Sequence, residues 1–256
     1  MRRIEKLEEF WRSFVLASGW GEDVDGAVVT WCSDLPMHTV NHATDISVDR
    51  DEAEDLIDRV TTYFLSRGFP YVCFRISPLT RLRSLTSLLE DRGFEKKEER
   101  SIMVYRRGSA EDKMNPGVEV REISKSEMGV WVDIVFAAFG WPTEWKAAVE
   151  KRFVGWMGRG GKCYLAYIEG KPVGACVLIS LVDTGRIFAV GTLEKYRRRG
   201  VGTTLTVRAV MDSIRQGNRL HTLEAVKGGS AERLYEKMGF VTDHAISYYV
   251  KELCAT

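Results

Sequence analysis

The segment Arg197-Arg198-Arg199-Gly200-Val201-Gly202-Thr203 constrains this chain more than any other. It stands between a stretch that reads as a strand, Arg186 to Leu193, and one that reads as a helix, Val201 to Gln216. In the helix, Val207, Val210, Met211 and Ile214 share one apolar face. Two glycines at such a junction let the backbone turn tightly and come close to a ligand. The first N–H groups of a helix lack intrahelical partners and attract an anion. Three arginines add positive charge beside them. The segment suits the phosphates of a ligand; a solvated basic turn is the plainer reading. A nucleotide P-loop is excluded, because no Gly-Lys-Ser/Thr follows. A dinucleotide fingerprint fails as well: Leu205 stands where a third small residue belongs, and no acidic residue follows about twenty positions on.

The surrounding pattern predicts a mixed α/β domain on one central sheet. Val118 to Glu122 alternates like a short strand. Ser126 to Phe139 and Thr143 to Met157 read as helices, broken at Gly140-Trp141-Pro142. Lys162 to Ile168 reads as a strand, Glu169-Gly170-Lys171 as a hairpin turn, and Pro172 to Val182 as the returning strand. Asp183-Thr184-Gly185 reads as a second turn. A strand from Leu220 to Val226, a helix from Ser230 to Met238 and a last strand from Ala245 to Val250 complete the pattern. The polar stretch from Arg106 to Gly117 is rich in turn formers. It divides the chain into an N-terminal domain, residues 1–108, a linker, residues 109–117, and a C-terminal domain, residues 118–256.

Arg197, Gly200 and Gly202 complete the Arg-x-x-Gly-x-Gly turn of the GNAT superfamily of N-acetyltransferases. Ala231-Glu232-Arg233-Leu234-Tyr235-Glu236-Lys237-Met238-Gly239-Phe240 resembles the end of a helix in the same superfamily, one helix and one strand later. The resemblance covers Val118 to Lys251. It implies a mixed sheet split in a V between the strand ending at Leu193 and the strand starting at Leu220. It implies acetyl-CoA as cosubstrate, its pyrophosphate on Arg197, Arg198, Arg199, Gly200, Val201, Gly202 and Thr203. Its pantetheine would bond the backbone of Val190, Gly191 and Thr192. Two positions depart from the superfamily pattern. Gly228 stands where an Asn often precedes the tyrosine, and Ile187-Phe188-Ala189-Val190 carries no carboxylate.

The implied chemistry is attack of a neutral primary amine, on a small molecule or peptide, upon the thioester. A backbone N–H at Gly191 or Thr192 would hold the oxyanion. Tyr235 is the candidate acid for the departing thiolate, a phenol of pKa about 10 being able to donate to it at close range. Glu224, a carboxylate in mid-strand, is the candidate base; a water relay to solvent serves equally. Phe139 to Pro142, with Trp141 and Trp145, either line the acceptor site or pack the two helices. Cys163 and Cys176 read as buried structural thiols rather than nucleophiles. An acyl-CoA-binding sensor or scaffold without catalysis is the alternative function.

The N-terminal half looks like a shortened copy of the same fold. Ser66-Arg67-Gly68-Phe69-Pro70-Tyr71-Val72-Cys73-Phe74 joins a helix to a strand, and Leu88-Leu89-Glu90-Asp91-Arg92-Gly93-Phe94 parallels the Tyr235 helix. Leu89 takes the tyrosine position, and acidic Ser47-Val48-Asp49-Arg50-Asp51-Glu52 replaces the glycine turn. This half is therefore expected to bind no acetyl-CoA and to shape the acceptor cleft. His38, His42 and Asp45 read as structural rather than as metal ligands, since Thr39, Val40 and Asn41 are weak helix formers. The net charge of +1 argues against nucleic acid and against an anionic membrane. The 5 cysteines, scattered without a Cys-x-x-Cys pair, and the lack of an apolar leader point to a reducing, cytoplasmic setting. A homodimer is compatible with all of this.

Overall fold

The computed structural model describes residues 2–80, 82, 84–106 and 111–253, the side chain of residue 111 excepted. In chain order the elements begin α1 (Arg3–Ala17), β1 (Gly21–Val24), β2 (Ala27–Thr30), β3 (His42–Thr44), α2 (Ala53–Leu65), β4 (Tyr71–Ile76), α3 (Leu85–Asp91) and β5 (Glu95–Tyr105). They continue β6 (Glu119–Glu122), α4 (Met128–Phe139), α5 (Lys146–Met157), β7 (Lys162–Ile168), β8 (Lys171–Leu181) and β9 (Thr184–Thr192). The last are α6 (Val201–Arg215), β10 (Leu220–Val226), α7 (Ser230–Met238) and β11 (Phe240–Glu252). They form two compact units, Met1–Ile102 with Asp243–Thr256, and Met103–Thr242. The second unit thus begins ahead of Val118, and the end of β11 counts with the first. Of the stretch expected as a linker, residues 107–110 lie outside the described residues, as does Cys254.

In the second unit the strands run β10-β9-β8-β7-β6. Strands β6 to β9 pair antiparallel, and β9 pairs β10 parallel. The sheet is mixed, as the sequence pattern predicts. Two tight hairpins shape it. Glu169 and Gly170 both have positive φ and join β7 to β8. Val182 and Asp183, also at positive φ, join β8 to β9, so the second turn is Val182-Asp183 rather than Asp183-Thr184-Gly185. Gly185 lies inside β9 for a different reason: a Cβ there would fall 1.9 Å from Ser213 Oγ of α6. Gly174 on β8 likewise leaves room for Val201 and Leu205. Helix α6 therefore sits on the sheet along Val201, Leu205, Ala209 and Ser213, one helical ridge. Ile214, expected on the buried face, is 50% exposed.

In the first unit the order is β1-β2-β3-β4-β11. Its core gathers Leu56, Ile57, Val60 and Phe64 of α2 against Val72 and Phe74 of β4 and Leu85 and Leu89 of α3. The order α2, β4, α3, β5 repeats α6, β10, α7, β11, and Gly93 and Gly239 both end their helices with positive φ. Beneath α1, Arg75 of β4 is fully enclosed. It donates to both carboxylate oxygens of Glu8, at 2.7 and 2.9 Å. His42 is buried too, its Nε2 3.3 Å from Trp11 Nε1 and its Nδ1 3.1 Å from the His38 carbonyl. Asp45 accepts from Arg12 at 2.6 Å. His38 Nε2 lies 3.1 Å from Glu98 Oε2, so His38, His42 and Asp45 each serve packing or pairing within the unit. Among the described residues no helix is long and apolar enough to cross a membrane.

Candidate active site

Parallel pairing of β9 with β10 covers Thr184↔Leu220, Gly185↔His221 and Arg186↔Thr222. Both strands run on, to Thr192 and Val226, with no further pair among the described residues. That divergence is the split expected between them. A β-bulge lies on its β9 side. The register with β8 shifts between Val177↔Phe188 and Ala175↔Gly191, and Ala189 takes φ of 50°, rare for a residue with a Cβ. A bulge leaves its extra residue outside the ladder and turns it aside. Here it falls at Ala189-Val190, beside the positions expected to hold pantetheine. Gly191 has a packing role as well. A Cβ on it would meet Ala138 Cβ at 2.9 Å and the Phe139 ring at 3.1 Å. The end of α4 thus presses on the bulge.

The glycine turn enters α6 from a short 3₁₀ turn, Glu194–Tyr196. Arg198 has φ of 63° and Gly200, the N-cap of α6, φ of 75°. No side chain caps this helix among the described residues, so its first N–H groups face outward. Gly202 stands in the first turn of the helix without positive φ. Around a Cβ placed there the nearest atoms are Thr192 Oγ1 at 3.8 Å and Val190 Cγ1 at 4.0 Å. Neither backbone conformation nor packing requires a glycine, and glycine costs a helix about 1 kcal/mol relative to alanine. What its missing side chain leaves is space over Val190 and Thr192, next to the uncapped N–H groups. That space fits a phosphate-bearing ligand. In the first unit, α2 is entered differently: a 3₁₀ turn, Arg50–Glu52, runs straight into it, the Asp49 N–H donates to Glu52 Oε2 at 3.3 Å, and these two residues form a capping box on that turn. Carboxylates thus crowd the approach to α2, where arginines precede α6.

The three arginines divide. Arg198 and Arg199 are exposed at the turn. Arg197, exposed as well, bonds its guanidinium to backbone, Nη2 to the Ala138 carbonyl at 3.1 Å and Nε to the Thr192 carbonyl at 3.5 Å. It ties the end of α4 to the end of β9. Two residues the motifs do not contain support the turn from behind. Asn115 Nδ2 donates to the Arg199 carbonyl at 2.8 Å, and Thr204 Oγ1 donates to the Gly200 carbonyl at 3.0 Å. Composition marks Asn115 only as a turn former, and its partner lies far away in sequence.

Tyr235 is 7% exposed and packs in one core cluster with Cys176, Val201, Leu205 and Ala225, residues of the elements that border the split. Its ring lies 5.8 Å from that of Phe240. Burial, with a smaller effect from Cys176, raises its phenol well above the ordinary value, so it stays protonated at neutral pH. Glu224 is committed to an ion pair with Arg186, itself 1% exposed. That pairing occupies the Glu224 carboxylate within the sheet. Cys163 and Cys176 are fully buried; burial pushes Cys163 up to about 12 and Cys176 well above its usual value. Neither offers a thiolate nucleophile. At the helix break, Trp141 folds back onto α4, stacked on Phe139 at 5.0 Å and edge-on to Phe136 at 5.5 Å. Phe139 stays 44% exposed. Trp145 belongs to the next turn, Thr143–Trp145.

Residues 159–242 match the family model of the acetyltransferase (GNAT) domain. Over 93 residues the chain is 31% identical to the N-alpha-acetyltransferase MAK3 of Arabidopsis thaliana, a match covering 34% of this chain and 48% of that protein. The chain thus spans about half the length of that relative. Among solved structures, a GCN5-related N-acetyltransferase from Kribbella flavida aligns with a TM-score of 0.77 at 15% identity, over 98% of this chain and 96% of the other. A tandem GNAT protein from the clavulanic acid biosynthesis pathway aligns with a TM-score of 0.62 at 10% identity, over 100% and 97%. At these identities the likeness is one of fold. With the split sheet, the bulge and the glycine turn, these matches mark residues 159–242 as a region similar to the acetyltransferase (GNAT) domain, in a chain whose fold is like that of GNAT proteins.

Proposed function

We propose that the second unit is an acetyl-CoA-dependent N-acetyltransferase acting on a primary amine of a small molecule or peptide. The observation that carries this is the uncapped start of α6, with empty space over Gly202 beside the split of β9 and β10. An anion placed there meets unpaired N–H groups, the positive end of the helix dipole and two exposed arginines. The family match supports acyl transfer from an acyl-CoA. The name of the Arabidopsis relative supports an amine as acceptor.

Acetyl-CoA supplies the activated acyl group. The chain's own residues do the rest. Val190, Gly191 and Thr192 offer backbone groups along one wall. The bulge at Ala189-Val190 turns an N–H out of the ladder, toward where an oxyanion forms. Tyr235, protonated at neutral pH, donates its proton to the leaving sulfur as the thiolate forms beside it. Glu224 is better read as the partner of Arg186 than as the base, and the ammonium proton leaves through water to solvent. Phe139 and Trp141, beside Gly191, form the near side of the acceptor entrance. The first unit, whose α2 follows an acidic, carboxylate-capped 3₁₀ turn in place of the glycine turn, takes no acetyl-CoA.

The test is Tyr235→Phe. Turnover should fall about a hundredfold while acetyl-CoA affinity stays within error of wild type. An unchanged rate removes Tyr235 as the acid. A wild-type protein that binds acetyl-CoA but acetylates no amine in a broad panel favours the sensor reading instead.

A further inference from the structure

The glycine turn is held in shape from outside its own motif. Asn115 reaches it from the segment ahead of β6. Its side-chain N–H donates to the Arg199 carbonyl at 2.8 Å, and its backbone N–H donates to Thr204 Oγ1 at 3.0 Å. The same hydroxyl donates to the Gly200 carbonyl at 3.0 Å, which also accepts the Thr204 N–H at 2.9 Å. Asn115 Oδ1 is engaged as well, accepting the Gly117 N–H at 2.8 Å, so the residue is locked at both ends. It also touches the turn directly: a Cβ on Gly200 would lie 3.1 Å from Asn115 Cβ.

These bonds fix two successive peptide planes. In a trans peptide the N–H points opposite to the C=O. Pinning the Arg199 carbonyl on Asn115 therefore aims the Gly200 N–H away from Asn115. Pinning the Gly200 carbonyl on Thr204 aims the Val201 N–H out of the helix start. The turn needs such support, because Arg198 and Gly200 both sit at positive φ, and Arg198 carries a Cβ. Donors held in place before a ligand arrives cost less to order when it binds.

We propose that Asn115, acting through Thr204 and the Arg199 carbonyl, is a positioning residue that aims the Gly200 and Val201 N–H groups at the diphosphate of coenzyme A. This rests on the cofactor site proposed above and goes further, in making affinity depend on a residue outside the motif.

The experiment is calorimetric titration with coenzyme A of the full chain and four variants, well below their unfolding temperatures. Wild type should bind and Gly202→Glu should not. Asn115→Ala and Thr204→Val should each bind about tenfold more weakly. Thr204→Ser, which keeps the hydroxyl, should bind like wild type. A merely structural role would lower the melting temperature of Asn115→Ala and leave its affinity unchanged; that result overturns the proposal. Should Asn115→Ala not fold, the Thr204 pair decides: equal affinity of Val and Ser variants overturns it too. No binding by wild type would instead overturn the cofactor site itself.

Discussion

At the residue scale, three glycines of the second unit do three different things. Gly185 makes room for Ser213 and Gly191 for Ala138, both inside the protein. Gly202 makes room for nothing the protein contains. Gly202→Ala should therefore leave stability unchanged or raise it by up to about 1 kcal/mol, while weakening acetyl-CoA binding. Chemical denaturation and titration of the same sample read both; equal affinity in the two proteins would remove the cradle. The sequence showed Gly200 and Gly202 because motif and chemistry coincide there. It misplaced Gly185, since a glycine beside Asp183 reads as a turn, and only the packing of α6 reveals its use. It gave no sign of Arg186 as the partner of Glu224, because the two approach only when β9 and β10 pair.

At the scale of elements, helices and strands of the second unit were legible almost throughout. Strands β7 and β10 and helix α7 match the expected ranges, because apolar alternation and helical spacing are strong there. The buried face of α6 was legible in part: Val207 and Val210 are buried and Met211 packs against the core, while Ile214 is exposed. Its contact ridge includes Ala209 and Ser213, residues whose size rather than hydrophobicity suits the close approach to Gly174 and Gly185. In the first unit, α1 is anchored by charge. Burial alone would raise the Glu8 pKa. The Arg75 charge, with hydrogen bonds from His244 and Arg75, outweighs burial and holds the carboxyl well below its usual range. Because the folded pKa lies below the unfolded value of about 4.3, this contribution is present above that pH and drains away as pH falls beneath it. Glu8→Gln leaves Arg75 buried without its counter-charge and should cost about 3 kcal/mol at pH 7. It should also flatten the acid limb of a melting-temperature series. An acid limb as steep as wild type would show that Glu8 is not the group responsible.

At the scale of the whole molecule, the division into two units does not follow the chain. Strand β11 pairs with β4 from Ser247↔Ile76 to Glu252↔Tyr71, and it brings Ile246, Tyr248, Tyr249 and Val250 into buried positions. A fragment of residues 1–102 alone should lose cooperative thermal unfolding, and adding a peptide of residues 243–256 should restore part of it. A cooperative fragment would make that strand dispensable. The repeated order of helices and strands was visible in sequence as two Gly-Phe helix ends. That the final strand's end groups with the first unit was not, because pairing between distant strands leaves no local mark. The central claim is that one of the two helix starts, α6, holds an acyl-CoA while α2 does not. Its most direct test is calorimetric titration of the full chain with acetyl-CoA beside Gly202→Glu. Micromolar binding at one site per chain, abolished by the substitution, is the expected result. Absence of binding, a second site, or binding that survives Gly202→Glu would contradict it.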